Sequence, residues 1–197
     1  MKQIVLASNN KGKINEIKKV FKNYYVLSIS DMEKILNKKL IVTENGDTFR
    51  KNALEKATTL YNQIGDEYLC VGDDSGISID ILNGFPGVYT ARWLDRDDHT
   101  KNLELLKKLK GVLKEERTCH YTTVIALKGK DITKTFEYTL DGIISNMPRG
   151  KNGFGFDEIF ELPNGLTLGE LTLEEKLKVS PRKRTLDMVE KYIKDKQ

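Results

Sequence analysis

The 197 residues contain only two cysteines, no long uncharged apolar run, and no tract where charge of one sign accumulates. Without any CxxC spacing, Cys70 and Cys119 read as buried reduced thiols in strand-like surroundings, not as a disulfide or a metal pair. The lack of a long apolar run leaves nothing to span a bilayer. The opening "MKQIVLAS" is too short in apolar residues for a signal-peptide core, so a cytoplasmic location and no membrane partner are expected. Net charge is +4, but the lysines are interspersed with acids, and Lys107, Lys108 and Lys110 fit a solvated helix face. No nucleic-acid partner is expected, while a local basic site for a small polyanion stays open. No internal repeat or low-complexity tract interrupts the chain. With 39% hydrophobic and 31% charged residues the composition is that of a globular domain, and a chain this long buries about 70% of its unfolded surface.

What is present alternates between two periods. Residues 3–7, "QIVLA", read as a buried strand, and residues 10–21 carry Ile14, Ile17, Val20 and Phe21 at helical spacing. A second amphipathic helix is expected over 48–64, stopped by Gly65, with "YLCVG" following as a strand that ends on Asp73 and Asp74. A helix over 102–109 precedes two long strands, 118–129 and 132–144, joined through "KGKD" as a hairpin. A glycine-rich stretch then leads to a closing helix over 182–194. Helices alternating with strands at the start and a hairpin in the middle predict an α/β fold with a mixed sheet, in two lobes around a cleft.

Four clusters could carry chemistry. The junction "SNNKGK" sets Ser8, Asn9, Asn10, Lys11, Gly12 and Lys13 where a helix N-terminus presents unpaired N–H groups, which suits phosphate or serves simply as a polar cap. It lacks the leading glycine and the Ser or Thr after lysine that a Walker loop needs. Asp73 and Asp74, placed at the carboxyl end of a strand, face opposite ways in extended chain, so one can meet a ligand while the other anchors its surroundings. Asp74, with Glu44 from the turn "TENGDTF", could hold a hard cation such as Mg²⁺; capping of a turn is the plainer alternative. In "PRGKNGFGFDEIF", Phe154 and Phe156 could stack a purine or plug a loop, and Asp157 could accept hydrogen bonds. "EEKLKVSPRKR" adds Lys176, Ser180 and Arg182, the last a donor-only fork for a carbonyl oxygen or phosphate.

In chain order these clusters resemble the inosine triphosphate pyrophosphatase family, the Ham1/RdgB group of non-standard purine nucleoside triphosphatases. "SNNKGK" matches TGNxxK, "TFRKNALEKA" matches TFxENAxxKA, and "DDSGISIDILNGFPGVYTARW" matches DDSGLxVDxLxGxPGxYSARY. "PRGKNGFGFDEIF" matches PRGxxGFGYDPxF, and "ELTLEEKLKVSPR" matches ELxxEEKxxxSHR. The resemblance spans nearly the whole chain. It implies a single nucleoside triphosphate pyrophosphatase domain over 1–197, an elongated two-lobed α/β fold with a central mixed β-sheet flanked by helices, a deep substrate cleft and a homodimer. The implied reaction is Mg²⁺-dependent hydrolysis of ITP, dITP and XTP to the monophosphate and pyrophosphate.

Carried over by position, Ser8 to Lys13 would contact the triphosphate and Asp74 would activate water and engage metal, with Glu44 as a second metal ligand. Ser75 would touch substrate, Phe154, Gly155, Phe156 and Asp157 would hold base and sugar, and Lys176 and Arg182 would be substrate contacts. Asp73 would support Asp74. Departures from the family include Pro181 for the His of SHR, Lys51 for the Glu of ENA, and Ser8 for Thr. Two other functions stay in view: a Maf-like pyrophosphatase acting on modified pyrimidine triphosphates, and a single-strand nucleic-acid-binding module that stacks bases on Phe154 and Phe156.

Overall fold

The computed structural model describes residues 3–196; Met1 and Lys2 of the opening stretch considered as a leader lie outside them. The chain forms β1 (Gln3–Leu6), α1 (Lys11–Val20), β2 (Tyr25–Leu27), α2 (Ile29–Leu36), α3 (Phe49–Ile64), β3 (Leu69–Ile79) and β4 (Phe85–Pro86). There follow α4 (Asp98–Lys108), β5 (Thr118–Gly129), β6 (Ile132–Ile144), β7 (Phe160–Glu161), α5 (Leu173–Val179) and α6 (Pro181–Asp195). The strands make one mixed sheet in the order β2-β1-β3-β5-β6-β7, with β4 paired to β3. β1 runs parallel to both β2 and β3, whereas β4 and β7 are antiparallel to their neighbours. This is the expected mixed α/β fold. No helix among the described residues is long and apolar enough to cross a membrane.

Two compact units can be distinguished, one within residues 1–74, 123–138 and 182–197, the other within 75–122 and 139–181. In the first unit, alternation along β1 feeds two cores: Ile4 and Leu6 pack with Ile17 of α1 and Leu186 of α6, while Val5 and Ala7 pack with Met32 of α2 and Leu60 of α3. Both faces of the strand are therefore covered, as a parallel sheet requires. The core of the second unit gathers Ile77 and Ile79 of β3, Leu105 of α4, Tyr121 of β5 and Phe160 of β7. Cys70 and Cys119 are buried free thiols, and burial pushes the Cys70 thiol up to about 12.

Helix ends follow their capping residues. Asn10, Ser28, Thr48, Asp97 and Thr172 each accept a backbone N–H in the first turn of the helix that follows. Gly65, at φ +81, ends α3 with its N–H on the Tyr61 carbonyl at 2.9 Å. Two boundaries correct the sequence reading. α4 begins at Asp98, not 102, because Asp97 caps it and its first turn holds no apolar residue for periodicity to detect. β3 does not stop at the acids but continues through them to Ile79, since both carboxylates find cationic partners inside the fold.

Gly72 sets the spacing of α3 against β3. A Cβ at this position would fall 1.9 Å from the Ala53 carbonyl oxygen, so the helix backbone lies directly on the strand. Ala53 and Ala57, both fully buried, complete that small-residue contact. Gly72→Ala is expected to lower stability by roughly 1–3 kcal/mol or more through overpacking, read as a shift in the urea midpoint; an unshifted midpoint would show that the helix can lift away freely.

His120 of β5 carries a pH signature. Its Nδ1 lies 2.7 Å from Asp141 and its Nε2 3.2 Å from Asp80. The hydrogen bond to Asp141, with the charge of Asp80 beside it, raises the imidazole above the usual histidine value. A raised folded-state value means the contribution is complete below the unfolded value of about 6.5 and is lost as pH climbs through the folded one. His120→Gln should therefore lower the urea midpoint near pH 5.5 and leave it unchanged near pH 9; equal effects at both would remove the imidazolium from the account.

Candidate active site

Adjacent acids in a strand point to opposite faces, and in β3 each meets its own cation. Asp73 is 1% exposed. One of its carboxylate oxygens lies 2.5 Å from Lys13 Nζ, and the other accepts from Arg182 Nε at 2.7 Å. Arg182, 3% exposed, donates from Nη1 to the buried Glu16 of α1 at 2.6 Å. Burial alone would raise the Asp73 carboxyl, but Arg182 and Lys13 outweigh it and hold the group well below the usual carboxylate range. α1, β3 and α6 are thereby tied by four charged side chains.

On the other face Asp74, 6% exposed, accepts from Lys56 Nζ at 2.9 Å through Oδ1. The same ammonium donates to Glu44 Oε2 at 2.6 Å, so two carboxylates converge on one cationic point. Asp74 Oδ2 is buried with no hydrogen-bond partner among the described residues. Burial raises the Asp74 carboxyl above its ordinary value; Lys56 offsets only part of this, and Glu44 adds to it. The irregular segment bearing Glu44 is held along α3: Asn45 N–H donates to Glu55 at 2.8 Å and Gly46 N–H to Asn52 at 2.7 Å.

The junction before α1 is knit locally. Ser8 Oγ accepts from Asn10 N–H at 3.1 Å, Asn9 Oδ1 accepts from both Ser30 N–H and Oγ, and Asn10 caps Lys13 N–H at 3.1 Å. Lys11 and Gly12 open the helix, Lys11 exposed at its start.

In the second unit, the 150–157 stretch turns on glycines: Gly150, Gly153 and Gly155 all have positive φ. Asp157, 1% exposed, accepts from Phe154 N–H and from Lys176 Nζ, both at 2.7 Å. Lys176, 5% exposed, also sits 4.6 Å from the centre of the Phe154 ring, a cation–π arrangement. Of the two alternatives left open for Phe156, the structure takes the plugging one: it is 4% exposed and packs in the core, whereas Phe154 is half-buried.

The structure thus groups Lys13, Asp73 and Arg182 in one cluster, Glu44 and Asp74 in a second, and Phe154, Asp157 and Lys176 in a third; Ser75 follows Asp74 on β3. Sequence reasoning missed Lys56 and Glu16. Lys56 stood in plain view within "TFRKNALEKA", one turn beyond Asn52 on the buried side of α3. Glu16, one of the lysine-rich residues of α1, carried no signal of its own.

A family model for the Ham1 family matches residues 4–192. The chain belongs to the Ham1 family. Among curated relatives, a dITP/XTP pyrophosphatase of Staphylococcus epidermidis is 37% identical over 100% of this chain and 99% of its own length. One bearing the same name from a Thermoanaerobacter species is 40% identical over 97% of this chain and 96% of its own. The solved structure of the Staphylococcus aureus Ham1 protein superimposes with a TM-score of 0.86 at 33% identity, covering 100% of both chains. The paired acids of β3 and the ion clusters around them therefore sit on a Ham1 scaffold.

Arg182 tests the division of labour in this Ham1 chain. Arg182→Ala leaves Asp73 and Glu16 buried with reduced compensation, and is expected to cost about 3–5 kcal/mol of stability, seen in chemical denaturation. A variant as stable as wild type would reduce Arg182 to a surface-like ligand contact.

Proposed function

We propose that this chain hydrolyses non-canonical purine nucleoside triphosphates such as dITP, ITP and XTP to the monophosphate and pyrophosphate. It does so as a cytoplasmic homodimer in which residues 1–197 form a single pyrophosphatase domain. The observation that carries the reading is Asp74, a buried carboxylate with one oxygen on Lys56 and the other lacking a partner among the described residues. A buried anionic oxygen is costly unless something satisfies it, so this one marks where water, a proton or a cation completes the site. The dITP/XTP pyrophosphatases among its relatives supply the reaction class.

The donor set fits a hard divalent cation. Mg²⁺ takes one or two carboxylates and fills its remaining positions with water and phosphate oxygens. Glu44 and Asp74 converge closely enough to share one ammonium, and among the described residues no group of three or more His, Cys, Asp and Glu side chains could hold a metal. Held by Glu44 and Asp74, Mg²⁺ would supply charge neutralisation at the phosphate oxygens.

The chain's own groups do the rest. Asp74 orients a water and takes its proton as the oxygen bonds to the α-phosphorus. The bond from that phosphorus to the bridging oxygen breaks, and pyrophosphate leaves with the electron pair. Lys56 holds Glu44 and Asp74 in register, and the Lys13–Asp73–Arg182–Glu16 cluster fixes the strand on which Asp74 stands. Ser8, Asn9, Asn10, Lys11 and Gly12 offer hydroxyl, amide and N–H donors to the triphosphate. Ser75 contacts substrate, and Phe154, Gly155, Asp157 and Lys176 hold base and sugar.

Pyrophosphate release from dITP, XTP, GTP, ATP and dTTP, with and without Mg²⁺, tests the assignment. Turnover of dITP and XTP well above the rest, dependent on the metal, is expected; turnover of dTTP alone would move the chain to the pyrimidine-directed alternative. Asp74→Asn should reduce kcat by about 10²-fold or more with the circular dichroism spectrum unchanged, and near wild-type turnover in that variant would remove Asp74 from the chemistry.

A further inference from the structure

Gly155 lies between Phe154 and Phe156 at φ +66 and belongs to no helix or strand. Both of its peptide groups are nonetheless satisfied, and by side chains of a single helix. Its N–H donates to Asp98 Oδ2 at 2.8 Å, and its carbonyl accepts from Asn102 Nδ2 at 2.8 Å. Asp98 and Asn102 stand four residues apart in α4 and so share one face. The Asn102 amide also donates to Glu158 Oε1 at 2.9 Å, and His99 Nδ1 lies 2.9 and 3.1 Å from the two oxygens of Glu158.

Asn102 is 1% exposed and both of its amide contacts are to acceptors, while its Oδ1 has no hydrogen-bond partner among the described residues. Flipping the amide would set oxygen against the Gly155 carbonyl and the Glu158 carboxylate, so the observed orientation is the one this surrounding allows. A buried amide that gives its donors to a loop while leaving its own oxygen unmet is oriented by that loop. The same turn is also held by Asp157, which accepts from Phe154 N–H and from Lys176.

Resting on the reading that Phe154, Asp157 and Lys176 hold the purine, we infer that Asp98 and Asn102 are positioning residues for purine binding. They clamp the Gly155 peptide and thereby set where Phe154 and Asp157 stand before substrate arrives. Positive-φ glycines at 150, 153 and 155 make the stretch conformationally permissive. Each degree of freedom removed in advance is one that binding need not remove. Because the base is held alike in ground and transition states, loss of the clamp weakens KM and spares kcat.

The test combines steady-state kinetics on dITP with amide hydrogen exchange over residues 153–157. Asn102→Leu and Asp98→Ala should each raise KM about tenfold, keep kcat within about threefold, and speed exchange in this stretch. Asp98→Asn keeps a carbonyl acceptor and should restore both readouts close to wild type. Asp98 is exposed, so its variants remain informative if Asn102→Leu folds poorly. Faster exchange with unchanged KM would overturn the inference and leave the pyrophosphatase reading standing, as would a fall in kcat at constant KM. Absence of purine triphosphate turnover in the wild-type protein, with exchange at 153–157 still slow, would overturn the pyrophosphatase reading and this inference with it.

Discussion

The structure depends on accommodating two neighbouring carboxylates inside a strand. Asp73 and Asp74 project to opposite faces of β3, and a charge taken out of water is tolerated only when partners compensate it. Asp73 is compensated completely by Lys13 and Arg182, and the guanidinium carries the compensation on to Glu16. Asp74 is compensated in part, chiefly by Lys56, with Glu44 sharing that cation. The two acids differ accordingly: Asp73 is held low by its partners, whereas Asp74 is raised and has a buried oxygen with no hydrogen-bond partner among the described residues.

That arrangement requires backbone proximity as well as charge. Lys56 reaches Asp74 because α3 lies directly on β3, and α3 lies there because Gly72, Ala53 and Ala57 leave no side chain to hold them apart. Small residues in the packing layer thus control an ion cluster they do not touch. In the second unit the same logic recurs with different parts. Gly150, Gly153 and Gly155 give the 150–157 stretch its turns, and polar side chains of α4 and α5 restrain what the glycines release.

Much of the fold was legible from periodicity and punctuation. β1, α1, α3, β5, β6 and α6 lie close to where alternating and helical patterns put them, and Gly65 ends α3 as its position suggested. The misses have physical causes. The first turn of α4 is polar, with Asp98 and His99 exposed, so apolar spacing could not show it. The acids of β3 looked like the end of a strand because charge is rare inside one, and only their partners, distant in sequence, make them admissible there. For Phe154 and Phe156 the sequence left stacking and plugging both open, and packing decided for Phe156 by placing it in the core.

For the candidate site, the sequence by itself determined which residue types were available and, through five motifs in register, the family to which they belong. Local chemistry sufficed for that, since capping, hydrophobic period and motif spacing are all properties of short stretches. Only the tertiary structure decided who partners whom. Lys13 with Asp73, Arg182 with Glu16, and Asn102 with Gly155 are separated by 60, 166 and 53 positions in the chain. Which acid is neutralised and which is left partly unmet depends on what the fold brings within hydrogen-bond reach, and no local pattern encodes that distance.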